Sequence, residues 1–345
     1  MHQIYITRVG TPKVLQVREA PNPLPREGEV AIAVRAAGVN YADIMTRKGL
    51  NLDAPKPPCV VGYEVAGEIV ALGEGVKKIA LGEHVLTLTR YGGYSDYVCV
   101  PAHQVFIKPK ALSFEQAAAV PVNYLAAYQL LVVMGSLHAH DSVLIHNAGG
   151  GVGLAALDIA QHIGAKTFGT ASASKHAFLR ERGLDFAIDY RTQDWLKAVL
   201  ELTHGRGVEL VIDPIGGAQW KKSFKALRPS GRLGFSGVTP GGDTILASKL
   251  GMIKLLLQMP WFNPVQLLNS NKGVFGINMG RLWEEEEKVL AWLEKILEGV
   301  EAGWVRPHVD RAFKFDQASA AHAYLDERKN IGKVVLVPGE IARQL

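Results

Sequence analysis

The sequence predicts an α/β protein of two domains, with a doubly wound parallel sheet in the middle of the chain and a β-rich domain built from its two ends. Three observations carry this. The 345 residues are 48% apolar and 21% charged, which is globular composition with room for about two domains at roughly 150 residues each. Residues 1–120 are short apolar runs broken by Gly and Pro. From Ser142 onward apolar runs alternate with segments of helical period, the texture of parallel βα units.

In the first region Glu29 to Ala36, Tyr63 to Leu72, His84 to Thr89 and Tyr94 to Pro101 read as strands. In the middle, strands at Ser142 to His146, Lys166 to Thr170, Phe186 to Ile188, Val208 to Asp213 and Arg232 to Ser236 alternate with helices at Val152 to Ile163, Lys175 to Gly183, Asp194 to Leu202 and Trp220 to Leu227. The strands are continuously apolar, as strands buried on both faces should be. Val274 to Asn278 is a further strand, Trp283 to Glu298 an amphipathic helix, Ala318 to Leu325 an apolar face and Lys333 to Pro338 a last β run. The expected division is 1–123, 124–275 and 276–345, the last segment rejoining the first.

Several classes of function are disfavoured. The most apolar stretch, Leu250 to Leu268, is cut by Lys254, Pro260 and Pro264, short of the roughly 18 uninterrupted apolar residues of a spanning helix. It reads instead as a helical cap beside a substrate mouth, with Met252, Met259, Trp261 and Phe262, or as ordinary core or dimer packing. Met1 to Val9 lacks a signal-peptide core, so a cytoplasmic location is expected. Cys59 and Cys99 cannot supply the four thiolates of a structural zinc lobe. The net charge of +5 is spread without a basic block, so there is no strong nucleic-acid signal.

The segment Val143 to Gly153 runs from a strand through Ala148, Gly149, Gly150, Gly151 and Val152 to Gly153 at the start of a helix. Small residues there let the backbone approach a pyrophosphate, whose charge meets the helix-start amides. NAD binders usually carry an acid at the end of the second strand, about 20 residues on. Here Thr170 to Lys175 offers hydroxyls, including Thr170 and Ser172, and the Lys175 ammonium, which favours NADPH. Tyr190 and Arg191, after the third strand, are placed to reach the same phosphate.

The chain resembles the zinc-free quinone oxidoreductase branch of the medium-chain dehydrogenase/reductase superfamily, of the zeta-crystallin and vesicle amine transport protein 1 type. The resemblance covers Gly38 to Asp43 with Arg47 and Gly49, Gly62 to Gly67, Asn123 to Tyr128, the glycine turn, Thr170 to His176, Asp213 to Gly217 and Gly332 to Val335. It implies a GroES-like partly open β-barrel domain and a Rossmann domain with the active cleft between them. It adds Ser236, Gly237, Asn278, Lys333 and Asn40 to the cofactor contacts. The positions matching the catalytic zinc ligands of metal-dependent relatives are Asn40, Tyr63 and Val122, a set unsuited to zinc, so no metal is expected.

Without a Lewis acid, reduction of an activated acceptor is the easier chemistry, because hydrogen-bond donors can stabilise the anion formed. Asn40 is the expected donor, with Tyr41 and Tyr63 as donors or packing walls and Asp43 behind them. Glu64, in an apolar strand, requires a partner and reads as a structural carboxylate. Two departures from the family stand out: Asn51 replaces a tyrosine, so water or Tyr41 would protonate the product, and Asn147 replaces the first glycine of the turn. The expected function is NADPH-dependent reduction of small-molecule quinones or α,β-unsaturated carbonyls. The alternatives are an enoyl-thioester reductase, or a weakly catalytic cofactor-binding protein acting through partners, membrane or RNA. A homodimer is expected through the edge strand Val274 to Asn278.

Overall fold

In the computed structural model, residues 1–51, 53–238, 255 and 257–339 are described. The chain divides into one unit of Met1–Asn123, Trp283–Ala302 and Pro307–Leu345, and a second of Tyr124–Leu282 and Gly303–Arg306.

The first unit begins with β1 (His2–Ile6), β2 (Leu15–Glu19), β3 (Glu29–Val39), helix α1 (Tyr41–Arg47), β4 (Cys59–Val60), β5 (Glu64–Leu72), β6 (His84–Leu88), β7 (Tyr97–Pro101) and β8 (Val105–Ile107). β3 is its spine, pairing antiparallel with β5 and β7. Register shifts along the β3–β5 pair at Ala31/Ile32 and Val34/Ala36 bend the sheet. Ile4, Ile6, Val30, Ile32, Val65, Ile69 and Val85 share one buried core, each side chain worth about 1.5–3 kcal/mol on burial. The strand expected from Tyr94 starts at Tyr97. Before it, the amides of Tyr94 and Asp96 are taken by Val61 and His2 carbonyls, outside the β3–β7 ladder.

The second unit holds β9 (Ser142–His146), β10 (Lys166–Ala171), β11 (Phe186–Asp189), β12 (Val208–Asp213), β13 (Leu227–Phe235) and β14 (Gly273–Gly276). All pair in parallel, in the order β11-β10-β9-β12-β13-β14. Helices Gly151–Ile163, His176–Glu181, Trp195–Leu202 and Ala218–Lys225 make connections. Val143, Leu144 and Ile145 are fully buried, as a strand covered on both faces requires. Strand order reverses at β9, which has β10 on one side and β12 on the other. At such a switch point ligands bind outside the carboxyl ends of the strands.

Of the expected cap Leu250 to Leu268, residues 250–254 and 256 lie outside the described residues. In the remainder, Trp261 is 87% exposed, whereas the Phe262 ring packs at 5.1 Å from Phe224 and 5.9 Å from Phe235. The helix expected from Trp283 opens as a 3-10 turn, Trp283–Glu285, and continues as Glu286–Glu301. After it come β15 (Val309–Lys314), helix Ala318–Asp326 and β16 (Lys333–Val337). β16 lies between β15 and β3, so the end of the chain completes the sheet of the first unit.

Among the described residues, Phe114–Val133 has the length and composition to cross a membrane, but 72% of its most apolar window is buried inside the protein, as in a core helix. Cys59 and Cys99 are free thiols.

Candidate functional site

In the first unit, Asn40 follows β3 and caps α1. The Asp43 carboxylate reaches back to accept from the Asn40 backbone amide at 2.7 Å. Asp43 also accepts from the Gly62 amide at 3.0 Å and the Tyr94 hydroxyl at 3.1 Å. One fully buried carboxylate therefore ties the Asn40 segment to the segment that leads into Tyr63. Burial pushes the Asp43 carboxyl up to about 7, against the opposing pull of the Asn40 and Gly62 amides. Behind it, Tyr94 Oη lies 3.0 Å from His322 Nε2. Burial, then the Arg47 charge, depresses His322 to about 3, so its ring is neutral. With the Tyr94 proton given to Asp43, His322 Nε2 carries the hydrogen that meets Tyr94 Oη.

The Asn40 side chain is turned elsewhere. Its Nδ2 donates to Glu64 Oε1 at 2.9 Å, and its Oδ1 accepts from Lys333 Nζ at 2.7 Å. Lys333 also donates to Glu64 Oε1, and the Val122 amide donates to Oε2 at 2.7 Å. Glu64 thus has the partners its burial demands, and Lys333, expected as a cofactor contact, is only 3% exposed within this cluster. Tyr63 is half-buried, and its hydroxyl accepts from Asn51 Nδ2 at 3.1 Å. Burial raises its pKa, keeping the phenol protonated. Asn51, where relatives carry tyrosine, therefore holds a different phenol. Tyr41 opens α1 directly after Asn40.

In the second unit, β9 ends at His146 and the chain turns through Asn147 at φ 54°. Asn tolerates this left-handed backbone better than most residues, which explains how it stands in for the expected glycine. The helix starts at Gly151 after Gly150, so the amides of Gly151, Val152 and Gly153 precede the first intrahelical acceptors. A Cβ on Gly153 would lie 2.4 Å from the Asn147 carbonyl oxygen and 2.7 Å from that of Ala148. Only glycine allows the helix to approach the strand this closely. The Lys175 stem passes over Gly149, its Cδ 2.8 Å from where a Cβ there would sit.

The other expected contacts divide. Ser172 follows β10, Tyr190 follows β11 and is 41% exposed, Ser236 and Gly237 follow β13, and Asn278 follows β14. These residues share the carboxyl edge of one parallel sheet with the glycine turn. Asn278 uses its Oδ1 to accept from the Gly280 amide at 3.0 Å. Thr170 does not fit the expectation of a phosphate donor: it is 2% exposed and its hydroxyl is paired with His146 Nδ1 at 2.9 Å. His146 Nε2 in turn meets Ser223 Oγ at 3.1 Å, and Ser223 donates to Asp213 at 2.6 Å. Sequence reasoning missed this polar core beneath the turn. A histidine ending an otherwise apolar strand and an aspartate ending the neighbouring one were its signals.

An alcohol dehydrogenase GroES-like domain matches residues 26–110, and a zinc-binding dehydrogenase domain matches 182–336. The human synaptic vesicle membrane protein VAT-1 homolog is 39% identical over 331 residues, 94% of this chain and 83% of that protein. The chain belongs to the zinc-free quinone oxidoreductase branch of the medium-chain dehydrogenase/reductase family. By family, this chain is an oxidoreductase with a GroES-like domain and a Rossmann-like parallel sheet. The Escherichia coli quinone oxidoreductase complexed with NADPH superposes with a TM-score of 0.85 at 28% identity, covering 98% of this chain and 100% of that one. The CurK enoyl reductase superposes at 0.83 with 28% identity, covering 98% and 99%. Asn40, Tyr63 and Val122, the positions that the resemblance sets against zinc ligands, lie outside the segment matched as a zinc-binding dehydrogenase, and among the described residues no three His, Cys, Asp or Glu side chains are grouped to hold a metal ion.

Proposed function

We propose that this protein reduces quinones or α,β-unsaturated carbonyls by hydride transfer from NADPH, without zinc. The observation that carries the reading is the Lys175 side chain laid across the glycine turn, beside a β10 whose end, Thr170, Ala171 and Ser172, holds no carboxylate. An ammonium in that place suits a 2′-phosphate, and β10 itself brings no acid to repel it. The turn fits a dinucleotide: Ala148, Gly149, Gly150, Gly151, Val152 and Gly153 would hold the pyrophosphate at a helix start. Ser172 and Lys175 would hold the ribose phosphate, and Tyr190, Ser236, Gly237 and Asn278 border the same sheet edge. The likeness to a quinone oxidoreductase complexed with NADPH supports this choice of cofactor.

Bound NADPH supplies a hydride. Once an acceptor has taken up that hydride, the Asn40 side-chain amide would donate a hydrogen bond to the oxyanion formed. A proton from water or from Tyr41 completes the reduced product, since burial makes the Tyr63 phenol a poorer acid. Tyr41 follows the donor in sequence, and Tyr63 follows Gly62, whose amide Asp43 ties to the Asn40 segment. The test is purified protein with NADPH or NADH against small quinones, enones and enoyl thioesters, followed by nicotinamide absorbance. Turnover of quinones or enones with preference for NADPH is expected, and no turnover across the panel removes the enzymatic reading.

A second reading, an enoyl-thioester reductase, is favoured by the likeness to CurK enoyl reductase. Turnover confined to the thioesters would select it.

A further inference from the structure

We infer that Glu64 and Lys333 are positioning residues that lock the Asn40 side-chain amide in one orientation, with its nitrogen committed as the donor in hydride transfer. The inference rests on the proposed reductase reading and deepens it, since the latter needs a donor but says nothing of what fixes it.

Sheet register brings the three side chains together. Val39 of β3 pairs with Val334 of β16, and Ala37 of β3 pairs with Val65 of β5. One step further along each antiparallel ladder, Asn40 comes opposite Lys333 and Gly38 opposite Glu64. A Cβ on Gly38 would lie 2.3 Å from Glu64 Oε1 and 2.7 Å from the Ala118 carbonyl oxygen, so glycine there admits the carboxylate. The Val122 amide on Oε2 anchors the carboxylate's far side.

The chemistry of the partners then dictates the amide's orientation. An ammonium can only donate and an ionised carboxylate can only accept. Oδ1 therefore faces Lys333 and Nδ2 faces Glu64. A flipped amide would set two donors against each other at Lys333 and two acceptors against each other at Glu64. Of the two hydrogens on Nδ2, Glu64 takes one, and the second remains as a donor whose direction the pair has set. A buried ion pair is a poor source of net stability, whereas orienting a donor before the reaction lowers the cost of reorganisation.

The test uses full-length protein and two readouts. In 15N-labelled protein without cofactor, the Asn40 side-chain amide is assigned by its loss in Asn40→Asp. It should shift and exchange faster in Glu64→Gln and in Lys333→Met. With NADPH and a small 1,4-quinone, both variants should lose about ten- to hundredfold in kcat per NADPH-binding molecule, with NADPH affinity held to about twofold. Should Lys333→Met fail to fold around an uncompensated Glu64, the double variant Glu64→Gln/Lys333→Met removes both charges and is read the same way. An unchanged Asn40 amide resonance, or a shifted one with undiminished kcat per binding molecule, overturns the inference, because a merely structural pair would alter only stability. Failure of the reductase reading is read separately, on wild-type protein that turns over no acceptor.

Discussion

The aliphatic stem of Lys175 crosses over Gly149 closely enough that a methyl group on the glycine would collide with it. The first residue after the sheet's second strand to carry a positive charge is thereby held against the glycine turn. Losing a charged hydrogen bond of about 1.5–3 kcal/mol weakens binding by roughly ten- to hundredfold. Lys175→Met should raise the NADPH dissociation constant by that factor and leave NADH within about twofold. Fluorescence titration with both nucleotides measures this, and equal losses for the two would disconnect Lys175 from the 2′-phosphate.

Asp43 and His322 make opposite contributions to stability as pH changes. Asp43 is raised to about 7 in the folded protein, above the roughly 3.9 of an unfolded aspartate, so its contribution is full below pH 4 and is lost as pH rises through about 7. His322 is depressed to about 3, below the unfolded value near 6.5, so its contribution is full above that value and is lost as pH falls toward 3. Between about pH 4.5 and 6.5 the two slopes cancel. Asp43→Asn removes one of them. Its Tm should fall steadily as pH drops across that window, whereas these two groups leave the wild-type Tm flat there. Parallel thermal-melt profiles of the two proteins would sink the assignment.

Legibility in the sequence followed the physics of each feature. β9 was readable because a strand buried on both faces is apolar throughout, and the glycine turn because small residues cluster where the helix must approach the strand. Glu64 could be seen to need a partner, since a carboxylate inside an apolar strand does. Its identity could not be seen, because Lys333 and Asn40 meet it through strand pairings 269 and 24 residues away. Lys333 opening the apolar run Lys333 to Val337 was a matching signal that went unused. Thr170 misled for a related reason: residue type shows that a hydroxyl is present, while the alternation of side chains along β10 decides that it faces His146. The strand start at Tyr97 depended on where the Tyr94 and Asp96 amides found acceptors, which no local pattern records.

Gly38 is the position where a single methyl group should be felt most directly at the site. A Cβ there meets Glu64 Oε1 and the Ala118 carbonyl oxygen at distances no side chain tolerates. Overpacking of a rigid interior costs about 1–3 kcal/mol. Gly38→Ala should lower unfolding free energy by that amount in urea and displace the Glu64 carboxylate from Asn40, with a fall in kcat greater than the fall in NADPH affinity. A stable variant with wild-type kcat would show that the carboxylate moves aside without consequence.

Among the described residues β14 ends the parallel sheet, and one hydrogen bond fixes the direction of its amides. The Ile277 amide donates to the Phe235 carbonyl at 2.8 Å. Amides alternate in direction along a strand, so those of Val274 and Gly276 point away from β13. An edge with outward amides is a template for pairing with a second copy, and two-fold pairing of β14 with its twin would close the interface on itself. Gly276→Pro removes one outward donor, and a Cβ at that position meets nothing within 4 Å, so the substitution is aimed at the edge rather than the core. Light scattering after size exclusion should give a dimer for the wild type and a monomer for Gly276→Pro, with nucleotide binding retained in both. A wild-type monomer, or a variant that stays dimeric, would place the contact between copies elsewhere or nowhere.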